Sequence, residues 1–177
     1  MKGVVFTQFL EFVAGRFGED TVDDIIEACA LPSGGAYTSV GTYSHEEMHA
    51  LTGALAARCG LPAADLVRDF GHHLAGSFER GYPDFFRRSG SYFDFLASVE
   101  EHIHVEVRKL YPDAELPAFT VVERSAKRMV MDYRSPRRLG ALAEGLLRGS
   151  ARHFGVEATV LAQPQGEHAI RFIIETR

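Results

Sequence analysis

Residues Tyr133-Arg134-Ser135-Pro136-Arg137 constrain this chain most. They close a stretch of strand-like residues, Met129–Tyr133, and open one of helical periodicity carrying Leu139, Leu142, Ala143, Leu146 and Leu147. The change of period marks a strand-to-helix junction, and Pro136 suits the first turn of the helix that follows. At that junction a phenol, a hydroxyl and a guanidinium alternate along the chain, and they can converge on one point as donors. The planar fork of an arginine matches a carboxylate or a phosphate. The junction is therefore expected to hold an anion.

Around it the chain reads as α+β. The first half is helical. Val5, Phe6, Phe9, Leu10, Phe12 and Val13 recur on a helical period over residues 4–17. A second helix is expected from Thr21, as N-cap, to about Ala30, and Ser44 with Glu47 reads as a capping box for a third. A fourth starts near Pro62 with Leu66, Val67, Phe70, Leu74 and Phe78 on one face, and Gly81-Tyr82-Pro83 breaks it. Residues 91–111 read as the longest helix, striped by Tyr92, Phe95, Leu96, Val99, Ile103, Val107 and Leu110. The second half adds strands at Phe119–Val122, Met129–Tyr133, Val156–Ala162 and Ala169–Glu175. The expectation is a single domain over 1–177. It has a helical N-terminal lobe over about 1–62 and a mixed lobe over about 63–177, the latter with a long helix and a four-stranded antiparallel sheet.

Bulk properties exclude several classes. A net charge of −5 with interspersed signs argues against a nucleic-acid partner. Apolar runs fall far short of a membrane span, and Gln8 and Glu11 interrupt the N-terminal apolar stretch too early for a secretory signal. Cys29 and Cys59 are the only cysteines, too few for a disulfide framework or a paired-cysteine zinc site. The chain reads as cytoplasmic, without catalytic machinery, and not as an enzyme.

Two histidine clusters require weighing. His102 and His104 stand two apart in an apolar segment ending at Pro112. On a strand they would share a face as a metal pair; on a helix they diverge. His45-Glu46-Glu47-Met48-His49 matches His-Glu-x-x-His, the pattern of a zinc metallopeptidase with His45 and His49 as ligands and Glu46 as general base. Its place in the first turn after Ser44 gives both glutamates a helix-dipole reason to be there. The long form of the motif fails at Gly53 and Leu55. The peptidase stands as the alternative reading. His72 and His73 are adjacent, diverge on a helix and read as flank residues.

These runs together resemble the heme-nitric oxide/oxygen binding family, H-NOX, in its bacterial stand-alone form. The resemblance rests on Met1-Lys2-Gly3, Gly41-Thr42-Tyr43-Ser44-His45-Glu46, Phe70-Gly71, Tyr82-Pro83-Asp84-Phe85-Phe86, the Ile103–Pro112 run, Pro117, Tyr-x-Ser-x-Arg and Gly145-Leu146-Leu147-x-Gly149. It spans essentially the whole chain. It implies a noncovalent heme b between the two lobes, with His104 as axial iron ligand. It implies Tyr133, Ser135 and Arg137 on the propionates, and Pro117 against the porphyrin. Carried over residue by residue, the distal wall is Val5, Phe9, Leu74, Phe78, Leu142 and Leu146, none of which donates a hydrogen bond. Oxygen-binding relatives place a tyrosine where this chain has Leu142. The resemblance thus implies a sensor that binds nitric oxide, and carbon monoxide, and discriminates against dioxygen. Gly71 and Gly145 match family glycines at a pivot, so signalling would run by conformational change to a separate sensor histidine kinase or cyclic-di-GMP enzyme. Some members carry a C-terminal cysteine-rich zinc site; with no cysteine after Cys59, none is expected here.

Overall fold

Helical spacing of apolar residues builds the first part of the molecule much as expected. The computed structural model describes residues 1–177, and the chain divides into two compact units, Met1–Phe70 and Gly71–Arg177. In the first, α1 (Gly3–Phe17), α2 (Glu19–Glu27), α3 (His45–Cys59) and the start of α4 (Ala63–Gly81) surround a core that includes Phe6, Phe9, Phe12, Val13, Ile25, Met48, Leu51, Leu55 and Phe70. Phe70 packs edge-on against Phe9 with ring centroids 5.2 Å apart. The division between the two units falls inside α4, whose first turns join the helical core through Phe70.

Two helix starts differ from the sequence expectation. The N-cap of α2 is Gly18, and the Thr21 hydroxyl instead donates back to the carbonyl of Phe17 at 2.9 Å. Ser44 does cap α3, accepting from the Glu46 N–H at 3.2 Å. Glu47, however, does not return to the cap: its carboxylate is buried and takes the hydroxyls of Ser33 and, at 2.9 Å, Tyr37. A buried carboxylate needs donors more than the cap needs a second acceptor. Gly60, at φ 65°, ends α3 in the left-handed region that a side chain disfavours.

The second unit contains the remainder of α4, a short α5 (Pro83–Arg87) at the expected Gly-Tyr-Pro break, α6 (Tyr92–Ser98), α7 (His104–Leu110), strands β1 (Ala118–Arg124), β2 (Arg128–Arg134), β3 (Ala158–Pro164) and β4 (Ala169–Thr176), and α8 (Gly140–His153). The sheet is antiparallel with order β1-β2-β4-β3. Alternation along β2 turns Met129, Met131 and Tyr133 to one face, where they join Phe172 and Ile174 of β4 and Ala143, Leu147 and Ala151 of α8 in one core. The Tyr92 hydroxyl ties α6 to α8 by donating to the Leu147 carbonyl at 2.6 Å. No single helix is long and apolar enough to cross a membrane.

The expected single helix over 91–111 is interrupted. Residues Val99–Ile103 form a π-helical turn between α6 and α7, in which the His104 N–H reaches back to the carbonyl of Val99. The apolar stripe is correspondingly broken: Leu96 is buried but Leu110 is 68% exposed. π turns carry one residue more per turn than the α-helix on either side and cluster at functional sites.

Candidate functional site

The π turn delivers a buried histidine. His104 opens α7 with its side chain 11% exposed, whereas His102, inside the turn, is exposed. Its Nδ1 stands 2.9 Å from Glu100 Oε2. A carboxylate only accepts, so Nδ1–H donates and Nε2 keeps its lone pair. Burial pushes the His104 pKa below the ordinary imidazole value, against the opposing pull of Glu100. Burial thus favours the neutral ring, the form that ligates a metal. Burial alone would raise the Glu100 carboxyl. Hydrogen bonds from His104, from Arg108 at 3.1 Å and from the Phe119 N–H at 3.3 Å outweigh it and hold that carboxyl below its usual range. The Phe119 ring lies 6.0 Å from His104 and 5.3 Å from Tyr133, its direct partner across β1 and β2.

The junction after β2 is tighter than its sequence implies. Ser135 N–H donates to the His168 carbonyl at 2.9 Å, and its Oγ accepts from the Arg137 N–H at 3.2 Å. Pro136 and Arg137 form a turn and are not the first turn of a helix. Arg138 takes φ 54° and Leu139 is not helical, so α8 starts only at Gly140. Tyr133 and Ser135 are buried. Burial raises the Tyr133 pKa, and Ser135 and the Arg137 guanidinium oppose the rise. The Arg137 side chain is 11% exposed, yet it donates at 2.9 Å to the carboxylate of Glu115, whose side chain is 82% exposed. A nearly buried guanidinium thus already engages one carboxylate, offered by the segment between α7 and β1 that also carries half-buried Pro117.

The other residues singled out from the sequence are apolar. In the first unit Phe9 is fully buried and Val5 half-buried. In the second, Leu74 and Leu142 are buried, and Phe78 and Leu146 half-buried. The metallopeptidase alternative is not supported. His45 pairs with Glu46 at 3.3 Å, the His45 and His49 rings stand 5.8 Å apart, and no group of three or more His, Cys, Asp or Glu side chains is placed to hold a metal ion.

Glu100 and Glu115 are the acidic residues that motif reading passed over. Glu100 had a signal in the sequence, a carboxylate four residues before a histidine on a helix. Glu115 had none, because it reaches Arg137 only through the turn that follows β2.

The chain has relatives among known proteins. The Haem-NO-binding family model matches residues 2–161. An H-NOX protein from K. algicida, solved in the Fe(II) unliganded state, is 39% identical, with TM-score 0.95 over 100% of this chain and 97% of that one. The H-NOX from Shewanella woodyi, in the Fe(II)CO state, is 38% identical, with TM-score 0.84 over 100% and 95%. An H-NOX protein from S. oneidensis in the Fe(II)NO state is 27% identical, with TM-score 0.91 over 100% and 99%. No match was found among curated proteins. With a family model over most of its length and relatives of this identity aligned end to end, the chain belongs to the H-NOX family of heme-binding, gas-sensing domains.

Proposed function

We propose that the protein senses nitric oxide at a ferrous heme b held by His104, discriminates against dioxygen, and signals by a change of shape to a separate effector. The observation that carries this reading is the placement of His104: buried, and anchored through Nδ1 so that Nε2 is the nitrogen left to ligate. The remaining donors suit the same cofactor. Burying propionates without partners is costly. Tyr133, Ser135 and Arg137 offer two hydroxyls and a guanidinium that already engages a carboxylate. Pro117 is assigned to the porphyrin face. Bound heme supplies an iron with a position open to a diatomic gas.

Selectivity follows from the side chains assigned to the distal side. Val5, Phe9, Leu74, Phe78, Leu142 and Leu146 are hydrocarbon throughout. Bound dioxygen carries partial negative charge and gains from a donor, which these residues do not provide; nitric oxide and carbon monoxide need none. The free thiols of Cys29 and Cys59 agree with a reducing, cytoplasmic setting. The effector is assigned, as for bacterial relatives without a fused output, to a sensor histidine kinase or a cyclic-di-GMP enzyme, so that the domain transmits a signal and does no chemistry itself.

Absorption spectra of the reduced protein test the reading. Nitric oxide and carbon monoxide should each shift the heme bands, and air should give no lasting oxy spectrum. His104→Ala should lose heme or need added imidazole to hold it. A persistent oxy complex in the wild type would overturn the selectivity; an unchanged ferrous spectrum in His104→Ala would overturn the ligand assignment.

A further inference from the structure

Glu100 gathers three donors. Its Oε2 accepts from His104 Nδ1 at 2.9 Å and from the Phe119 backbone N–H at 3.3 Å, while Oε1 accepts from Arg108 at 3.1 Å. It stands in the π turn, its donors come from α7 and β1, and its side chain is 31% exposed. Of these residues only His104 is assigned above to the heme; Glu100, Arg108 and Phe119 are not.

We propose that Glu100 is a positioning residue that sets the strength of the bond between His104 and the heme iron, and that Arg108 attenuates it. The inference rests on the reading of His104 as axial ligand. A carboxylate accepting from Nδ1–H draws the proton toward itself and leaves more electron density on Nε2, so the imidazole becomes a stronger donor to a metal. It also fixes the tautomer and the plane of the ring. Arg108 competes for the same carboxylate: its positive charge on Oε1 withdraws density from Oε2 and weakens the pull on Nδ1. The Phe119 N–H adds a neutral donor that ties the carboxylate to the first residues of β1. The proximal bond is thereby set by the charge of Glu100 and the opposing charge of Arg108, and not by the histidine alone.

Opposed substitutions separate this from mere packing. The heme-loaded, reduced, unliganded protein is examined by resonance Raman for its iron–histidine stretching band, and by absorption for the fraction that keeps the histidine bond under nitric oxide. Glu100→Gln keeps the shape and an acceptor oxygen but removes the charge. Its band should move to lower frequency and the histidine-bound fraction should fall. Arg108→Gln leaves Glu100 in place and removes its competitor, so the band should move to higher frequency. Opposite shifts support the proposal. An unmoved band in both variants, or a shift in the same direction, overturns it. Where Glu100→Gln does not fold, Arg108→Gln decides alone: an upshift supports the proposal, and no shift or a downshift overturns it. A wild-type protein that binds heme without any iron–histidine band would bring down the ligand assignment itself, a result distinct from a normal wild-type band that neither variant moves.

Discussion

A Cβ added to Gly71 on α4 would stand 2.5 Å from the carbonyl oxygen of Leu142 on α8, and 2.9 Å from the Cα of Gly145. The two helices touch backbone to backbone there, and backbone cannot swing aside as a side chain can. Gly71→Ala should therefore separate α4 from α8 locally and cost about 1–3 kcal/mol, the usual range for an overpacked contact. Thermal denaturation of the two heme-loaded proteins reads this directly. A variant as stable as the wild type would mean that the helices part without loss.

Arg137→Ala should release heme faster than Tyr133→Phe or Ser135→Ala. Hydrogen bonds to a charged group contribute roughly 1.5–3 kcal/mol and neutral ones about 1. The expected acceleration is roughly ten- to hundredfold for the arginine and about fivefold for each hydroxyl. Transfer of heme to an apo-globin acceptor measures the rates. Equal rates in all three variants would reduce the run to a structural turn.

Leu142→Tyr should raise dioxygen affinity relative to carbon monoxide. Leu142 is buried, so the larger phenol carries an overpacking cost of about 1–3 kcal/mol. Its hydroxyl is poorly satisfied until a ligand accepts from it. Equilibrium titration of both reduced proteins with each gas provides the test, and an unchanged ratio would remove Leu142 from the distal side.

Asp132 and Arg171 face each other across β2 and β4 with two hydrogen bonds, at 2.8 and 2.9 Å. The Arg171 guanidinium holds the Asp132 carboxyl below its ordinary value of 3.8. A carboxyl depressed in the folded state adds stability above its unfolded pKa, and that stability is lost as pH falls through the folded value. Asp132→Asn should flatten the acid limb of the stability–pH curve below about pH 4 and leave its slope near neutrality unchanged. Urea titrations at stepped pH would show it, and parallel acid limbs would assign the loss to other carboxylates.

Much of this was readable in the amino-acid order. The four strands and α8 follow from period, and the span from α6 to α7 from an apolar stripe ending at a proline, which reads as one helix and leaves the π turn within it unannounced. Separate observations undid the rest. Pro136 looks like a helix start, but the left-handed backbone of Arg138 delays α8 to Gly140. Glu47 looks like half of a capping box, but tertiary donors at Ser33 and Tyr37 claim it. Glu115 finds Arg137 from across the chain, a pairing no local pattern announces. Local signals specify where elements lie; long-range partners decide what polar side chains do.

The π turn at Val99–Ile103 amounts to a one-residue slip in the numbering of a helix. Each α-helical residue advances about 100° around the axis, so on an unbroken helix the residue seven after Leu96, Ile103, would fall almost on the line of Leu96. The wider turn takes up one residue, and the place goes to His104. Rewinding Val99–Ile103 as an ordinary helix with no residue removed would swing the imidazole by about 100°, while composition, apolar content and every motif stayed the same. A sequence comparison would register no change at all; in three dimensions the ring would turn away from Phe119, its neighbour at 6.0 Å.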